Sequence, residues 1–205
     1  FANARIISRA ELMKETPSRK INSTGRDLNS NELLGPLNLG LNQEPASIIR
    51  YSFRTLDRQW LLADSRVIDR PSPELWLVRG PRQIFFNELH SHPVGLGPCI
   101  SISPCIPNLD HFHGRGGRIL PVYRDSKNLN WNVLPGLVPL LNKNISQPID
   151  EATFLSYVAG LTAFPAFSAK FTEDLREGGV RIPVTLQNDL LIEIADLGST
   201  AIELF

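Results

Sequence analysis

Ile48-Ile49-Arg50-Tyr51-Ser52-Phe53-Arg54-Thr55-Leu56-Asp57-Arg58-Gln59-Trp60-Leu61-Leu62-Ala63-Asp64 is the stretch around which the chain is organised. Ile49, Tyr51 and Phe53 alternate with polar residues, the two-residue period of a half-buried strand. The polar partners are mostly arginine. Arg50, Arg54 and Arg58 stand close to Asp57 and Asp64, so forked guanidinium-to-carboxylate pairing is available. The stretch reads as a core strand with an ion-paired outer face, and an arginine left over from that pairing suits a phosphate or a base edge.

Moving outward, the 205 residues suffice for one large domain or two small ones without covalent staples. With 42% hydrophobic and 20% charged residues the composition is that of a globular protein. There is no run of 18 apolar residues and no apolar core of a signal peptide at the N-terminus, so the expected location is the cytoplasm. The chain opens on Phe1, which suggests a piece of a longer protein. Net charge is zero, but its distribution is uneven. Residues 50–118 hold nine arginines against six acids, and residues 150–205 hold three bases against nine acids. The middle is the part suited to a polyanion.

Upstream, Ser8 and Glu11 have the spacing of a helix N-cap and its reciprocal partner, and the rest of residues 1–42 is loop with that helix. Downstream, Pro71 and Pro73 call for extended backbone in a loop or edge. Leu75-Trp76-Leu77-Val78 and Gln83-Ile84-Phe85-Phe86 read as buried strands separated by a turn at Gly80-Pro81, and Cys99-Ile100-Ser101-Ile102 as another strand. Pro107 to Arg118 is a glycine-loosened loop in which Arg115 and Arg118 offer forks for phosphate or guanine. The simpler reading makes its glycines a hairpin turn and Leu109, Phe112 and Tyr123 core. Cys99, Cys105, His111 and His113 lack the tight pairing of a zinc site, so no metal is expected.

Asp125 to Gln147, rich in asparagine and proline, reads as a connector. After it the pattern becomes helical. Asp150 caps a first helix with Phe154, Leu155, Val158 and Leu161 on one face. Pro165 opens a second, carrying Phe167, Phe171 and Leu175 and stopping at Gly178-Gly179. Asp189 to Leu204 makes a third with Leu190, Leu191, Ile194, Leu197 and Ala201 inward. The fold class is therefore α+β: a β-rich mixed part over 1–148, then a helical subdomain of about three helices over 149–205.

Several segments resemble, in order, the C-terminal specificity region of type ISP restriction-modification enzymes. Tyr51, Phe53, Asp57, Trp60, Leu61 and Asp64 resemble its Tyr-x-(Pro)-Phe-x-x-x-x-Trp-Leu-Tyr-x-Asp segment, with Ser52 and Arg54 flanking Phe53 where Arg-Pro-Phe is usual and Leu62 for a tyrosine. Ile7-Ser8-Arg9-Ala10-Glu11-Leu12 is similar to its Phe-Ser-Arg-x-Glu-Leu. Pro107 to Tyr123 is similar to Pro-Asp-Leu-x-x-Phe…Gly-Gly-x-x-x-Pro-Leu-Tyr, with Asn108 and Val122 substituted. Phe154, Tyr157-Val158, Leu161, Phe167, Phe171, Leu175, Arg181-Ile182-Pro183-Val184-Thr185 and Leu197-Gly198 match its closing pattern. About three quarters of the chain is covered, and none of the matching motifs is catalytic.

The resemblance implies a target-recognition module that reads double-stranded DNA. Its parent would be a large polypeptide whose methyltransferase and helicase parts lie upstream of residues 1–42. S-adenosylmethionine, ATP and Mg would serve those parts, and no cofactor this chain. The expected readers are Arg115 and Arg118 in the glycine loop, Arg79 and Arg82 around the Gly80-Pro81 turn, then Asn142, Lys143 and Asn144, with Arg54 in the central strand stretch. The sequence itself holds no phosphate-binding Gly-x4-Gly-Lys-Ser/Thr, no Asn/Asp-Pro-Pro-Tyr/Phe, no Gly-x-Ser-x-Gly and no His-Glu-x-x-His, which points to binding rather than catalysis. The other class of reading is a protein-interaction module that couples methyltransferase to helicase without touching bases.

Overall fold

The computed structural model describes residues 14–16, 20–39, 46–89, 97–111, 117–176 and 179–205. The Ser8-capped helix expected near the N-terminus lies outside them, as do Phe112 and Gly178. The architecture is mixed α+β, with short antiparallel sheets and helices concentrated toward the C-terminus. Contacts divide the chain into two units, Phe1–Arg50 with Trp60–Leu77, and Tyr51–Gln59 with Val78–Phe205.

In the first unit, buried polar groups do much of the organising. Strands β1 (Gly25–Arg26) and β2 (Leu33–Leu34) pair antiparallel. The turn between them wraps on the buried Asp27 carboxylate, which accepts N–H bonds from Asn29 at 2.7 Å, Ser30 at 2.9 Å and Ser47 at 2.6 Å. Desolvation raises the Asp27 pKa, but these donors outweigh it and hold the group below its ordinary value. Asp64, expected to pair with the hairpin arginines, is instead gripped by Arg66. Its oxygens accept from Arg66 Nε at 2.9 Å and Nη2 at 2.7 Å, with both side chains buried. Arg66 also donates to the Gly35 carbonyl. Ile21, Leu28, Ala46, Ile49, Ala63 and Trp76 fill the small apolar interior.

The organising stretch is a hairpin rather than one strand. β3 (Ile48–Arg54) and β4 (Asp57–Leu62) form a two-stranded sheet, and the chain turns back at Leu56, whose φ is 65°. The expected alternation holds for buried Ile49 and half-buried Tyr51 but fails at Phe53, which is exposed. The Arg54 guanidinium lies 4.1 Å from the Phe53 ring centre and that of Arg50 the same distance from Trp60, so a cation–π contact covers the Phe53 face that the strand pattern assigned to a core. Leu75-Trp76-Leu77, expected as a strand, is helix α1 (Pro73–Leu77). Proline has no N–H to lose at the first helical position and its φ is already helical, so Pro73 starts the helix rather than breaking it. Trp76 is buried and donates to the Pro71 carbonyl at 2.5 Å.

The second unit is built on a three-stranded antiparallel sheet in the order β6 (Ile100–Ser103), β5 (Phe85–Leu89), β7 (Gly117–Pro121). Phe86 stands opposite Ile102 and Leu120, and Glu88 opposite Ile100 and Arg118. Period-two geometry puts these residues on one face, and Phe86, Ile100, Ile102 and Leu120 belong to the same apolar cluster as the helices. The segment read as a connector is folded into that cluster: Val133, Val138 and Ile145 are buried, and Leu137–Leu141 is helix α2. Pro139 lies within α2 and Asn142 caps its end, so neither residue type removes the segment from the core. Tyr123 is core as expected; Leu109 is not, being 38% exposed.

Asp150 caps α3 (Glu151–Ala163) by accepting from the Thr153 N–H at 2.8 Å. Pro165 opens α4 (Pro165–Lys170), which is shorter than expected, and a 3-10 turn follows at Asp174–Arg176. α5 (Asn188–Glu203) packs on α3, and its inward residues are Leu191, Ala195 and Gly198, not the expected Leu190 and Leu197, which are exposed. The reason lies at a glycine crossing. A Cβ at Gly198 would strike the Ser156 carbonyl and sit 2.6 Å from the Gly160 nitrogen, and one at Gly160 would strike the Ile194 carbonyl. Closest approach of the two backbones thus fixes the helix rotation, and leucine spacing does not. No helix among the described residues is long and apolar enough to cross a membrane.

Candidate nucleic-acid interface

Tyr123-Arg124-Asp125-Ser126-Lys127-Asn128-Leu129-Asn130-Trp131 folds around one carboxylate. Asp125 accepts backbone N–H bonds from Lys127 at 2.9 Å, Leu129 at 3.3 Å and Asn130 at 2.7 Å. Its slight desolvation raises its pKa, but the donors of Asn130, Leu129 and Lys127 prevail and lower it. The Arg124 N–H donates to the Asn130 carbonyl at 2.8 Å, and the Tyr123 and Trp131 rings stack at 4.3 Å. Asn128 sits at φ 58°, a left-handed conformation that asparagine tolerates.

This loop interlocks with the turn that carries Arg79 and Arg82. The buried Asn128 side-chain oxygen accepts the Arg82 N–H at 3.0 Å, and Arg82 Nη2 reaches the Asn128 carbonyl at 3.4 Å. Gly80 presses so closely that a Cβ there would strike the Ser126 carbonyl. Arg79, Arg82, Arg124 and Lys127 are therefore exposed on two loops that touch. The one carboxylate among them, Asp125, is turned toward backbone donors. Arg124 is steadied by the Val133 carbonyl at 2.7 Å and Asn132 Oδ1 at 3.3 Å, and a guanidinium has five N–H donors in all. Beside the loop lies a hollow of about 500 Å³ whose lining includes Arg124, Asn130, Trp131, Leu134, Pro135 and Glu151.

The remaining expected readers are placed elsewhere. Arg118 is on β7 and pairs at 3.2 Å with buried Glu88, which also accepts the Val180 N–H at 2.9 Å. It stands at the end of the sheet remote from Pro121, so the structure does not join it to the Arg79–Arg82 turn, which precedes Phe85 opposite Pro121. Arg115 lies outside the described residues. Asn142 commits both amide atoms to Ile149, at 2.9 and 3.0 Å. Asn144 donates to the Leu140 carbonyl at 3.1 Å, and its neighbour Lys143 is exposed. Arg54 donates to the Phe53 carbonyl at 2.8 Å while stacked on the Phe53 ring. Arg124 and Lys127 were missed by sequence reasoning. The available signal was Asp125 followed by Lys127 and Asn130, an aspartate placed to accept from the backbone just beyond it.

No group of three or more His, Cys, Asp or Glu suited to a metal occurs among the described residues. Cys99 and Cys105 are not joined in a disulfide, and burial pushes the Cys99 thiol up to about 11. His111 is buried with Nε2 3.1 Å from Thr55 Oγ1. Burial lowers its pKa, the Arg54 charge adds to this, and a Ser52 backbone bond opposes it. His113 lies outside the described residues.

Comparison with known proteins gives a consistent picture. Residues 4–205 match the family model described as the Type ISP C-terminal specificity domain. Among solved structures, the chain is similar to one described as a cryo-EM structure of a DrdV–DNA complex, with a TM-score of 0.63 and 18% identity over 77% of this chain and 16% of that one. It is also similar to the ATP-dependent Type ISP restriction-modification enzyme LlaBIII bound to DNA, with a TM-score of 0.59 and 18% identity over 87% and 12%. At this identity the likeness is one of fold, and the chain spans only a small fraction of either solved chain. No curated protein matches.

Proposed function

Because the chain belongs to the Type ISP C-terminal specificity domain family, we propose that it recognises a double-stranded DNA target. The face doing so is formed by the Arg79–Arg82 turn and the Arg124–Asn132 loop. The observation that carries this reading is the interlock of the two loops through Gly80 and Asn128, which brings together two loops that bear four exposed cations and the exposed Asn130. Arginine and lysine suit phosphates and guanine, and asparagine suits adenine, each bidentate base contact being worth about 1–3 kcal/mol of discrimination. That both solved relatives are DNA complexes supports it. Arg118 on β7 and Arg115, with Asn142, Lys143, Asn144 and Arg54, are proposed as further contacts.

The chain would act within a longer polypeptide in the cytoplasm, one that carries an adenine methyltransferase and a helicase with their S-adenosylmethionine, ATP and Mg. It performs no chemistry itself, a reading supported by the absence of catalytic motifs from its sequence. The test is fluorescence anisotropy on duplex DNA across a salt series, with the four-fold variant Arg79→Ala/Arg82→Ala/Arg124→Ala/Lys127→Ala beside the parent chain. Each phosphate that the variant no longer neutralises lowers the slope of log K against log salt by about 0.9. A variant that melts like the parent chain and keeps its affinity and slope would remove this face from the reading.

A further inference from the structure

α5 is apolar over far more of its girth than α3 covers. Leu191, Ala195 and Gly198 are buried, yet Leu190 is 42%, Leu197 65% and Leu204 81% exposed, and Leu186 just before the helix is 59% exposed. Positions 190 and 197 and the C-cap residue 204 recur every seven residues, so they form one line that runs along the helix flank to its end. Beside this line stand Asp189, Glu193, Asp196 and Glu203, all exposed, and neither α3 nor α5 contains a lysine or arginine. At the N-terminal end a hollow of about 540 Å³ opens between Ser146, Gln187, Asn188, Asp189, Leu190 and Glu193. Its lining thus joins two acids of the flank to the first leucine of the line. The basic group near the other end is Arg58, which donates to the Phe205 carbonyl at 2.8 Å.

An uncovered leucine line of this length marks a docking surface, and its charge selects the occupant. Duplex DNA and an anionic lipid surface are both repelled by the acids. A second copy meeting the same face would set acid against acid, because a two-fold contact is self-complementary. We infer that the α5 flank docks a basic amphipathic helix, one whose apolar stripe covers Leu190, Leu197 and Leu204 while its Lys and Arg meet Asp189, Glu193, Asp196 and Glu203. This is the helix-in-groove mode of recognition, with electrostatics setting the partner. The surface is separate from the four-cation face and stands whether or not that face binds DNA.

The experiment titrates the whole chain, observed by amide NMR, with two fluorescent 15-residue helical peptides that share a heptad leucine stripe, one flanked by lysines and the other by glutamates. The lysine peptide should bind saturably, shift amides of α5, and bind at least tenfold more weakly to Leu197→Asp and to Glu193→Lys/Asp196→Lys. Both variants alter exposed positions and should melt like the parent chain. The glutamate peptide should not bind. Equal binding of the two peptides, undiminished binding by either variant, or a concentration-dependent dimer in sedimentation that Leu197→Asp abolishes would each overturn the inference. In the last case a second copy is the occupant.

Discussion

The two units fill their interiors in opposite ways. The first has few apolar side chains to bury and braces itself with charge, Asp27 on three backbone donors and Asp64 forked onto Arg66. The second places little charge in its core and relies on close packing, with α3 and α5 drawn together until their glycine backbones touch. A small core cannot rely on volume alone, so directional bonds fix its loops, and each bond leaves an exposed liability when one partner is removed. A large core is indifferent to charge but intolerant of added atoms.

Removing one partner from the buried pair should give the largest effect. Arg66→Met leaves Asp64 uncompensated and should cost about 3–5 kcal/mol in urea unfolding, whereas Asp64→Leu/Arg66→Met should recover most of it. If the single and double variants are equally unstable, charge is not what braces the first unit. Next comes Gly198→Ala, which adds one methyl where a backbone carbonyl already stands and should cost about 1–3 kcal/mol. Hydrogen exchange should report that loss in α3 and α5, while Leu197→Ala on the outer flank changes stability by less than about 0.5 kcal/mol.

Acidification separates the units most finely. The His111 pKa is lowered in the fold, so the unfolded chain takes up the proton first, and stability in the second unit should decline as pH falls through about 6.5 toward the lower folded value. Asp27 is also lowered, but as an acid: its contribution is complete above the ordinary aspartate value of 3.8 and is lost as pH falls through its folded pKa. Exchange measured at pH 7, 5.5 and 3.5 should therefore weaken the second unit before the first. His111→Gln should erase the earlier step, and Asp27→Asn the later one.

What the sequence made legible was local. The β3 strand, the Asp150 cap, the Pro165 start and the turn at Gly80 all depend on residues a few positions apart, and all four are present. What it hid depends on distant partners. The face of α5 was misjudged because large leucines attract attention, while the rotation was decided by Gly198 meeting a helix about forty positions earlier. Leu75-Trp76-Leu77 looked like a strand because three apolar residues carry no period of their own. For the proposed DNA face, Arg79 and Arg82 were visible as a basic turn. Arg124 and Lys127 were passed over inside a segment that looked like a tether, since nothing nearby announces that Asn128 will accept a hydrogen bond from Arg82.

The crossing of Gly160 and Gly198 makes α3 and α5 a single stiff strut, with no side-chain cushion to absorb sliding. From α3 the Thr162 carbonyl accepts the Cys99 N–H at 3.0 Å, at the threshold of β6. The outer flank of α5 is thus tied to the edge of the sheet through backbone at both joints, the glycine crossing and the Thr162–Cys99 bond.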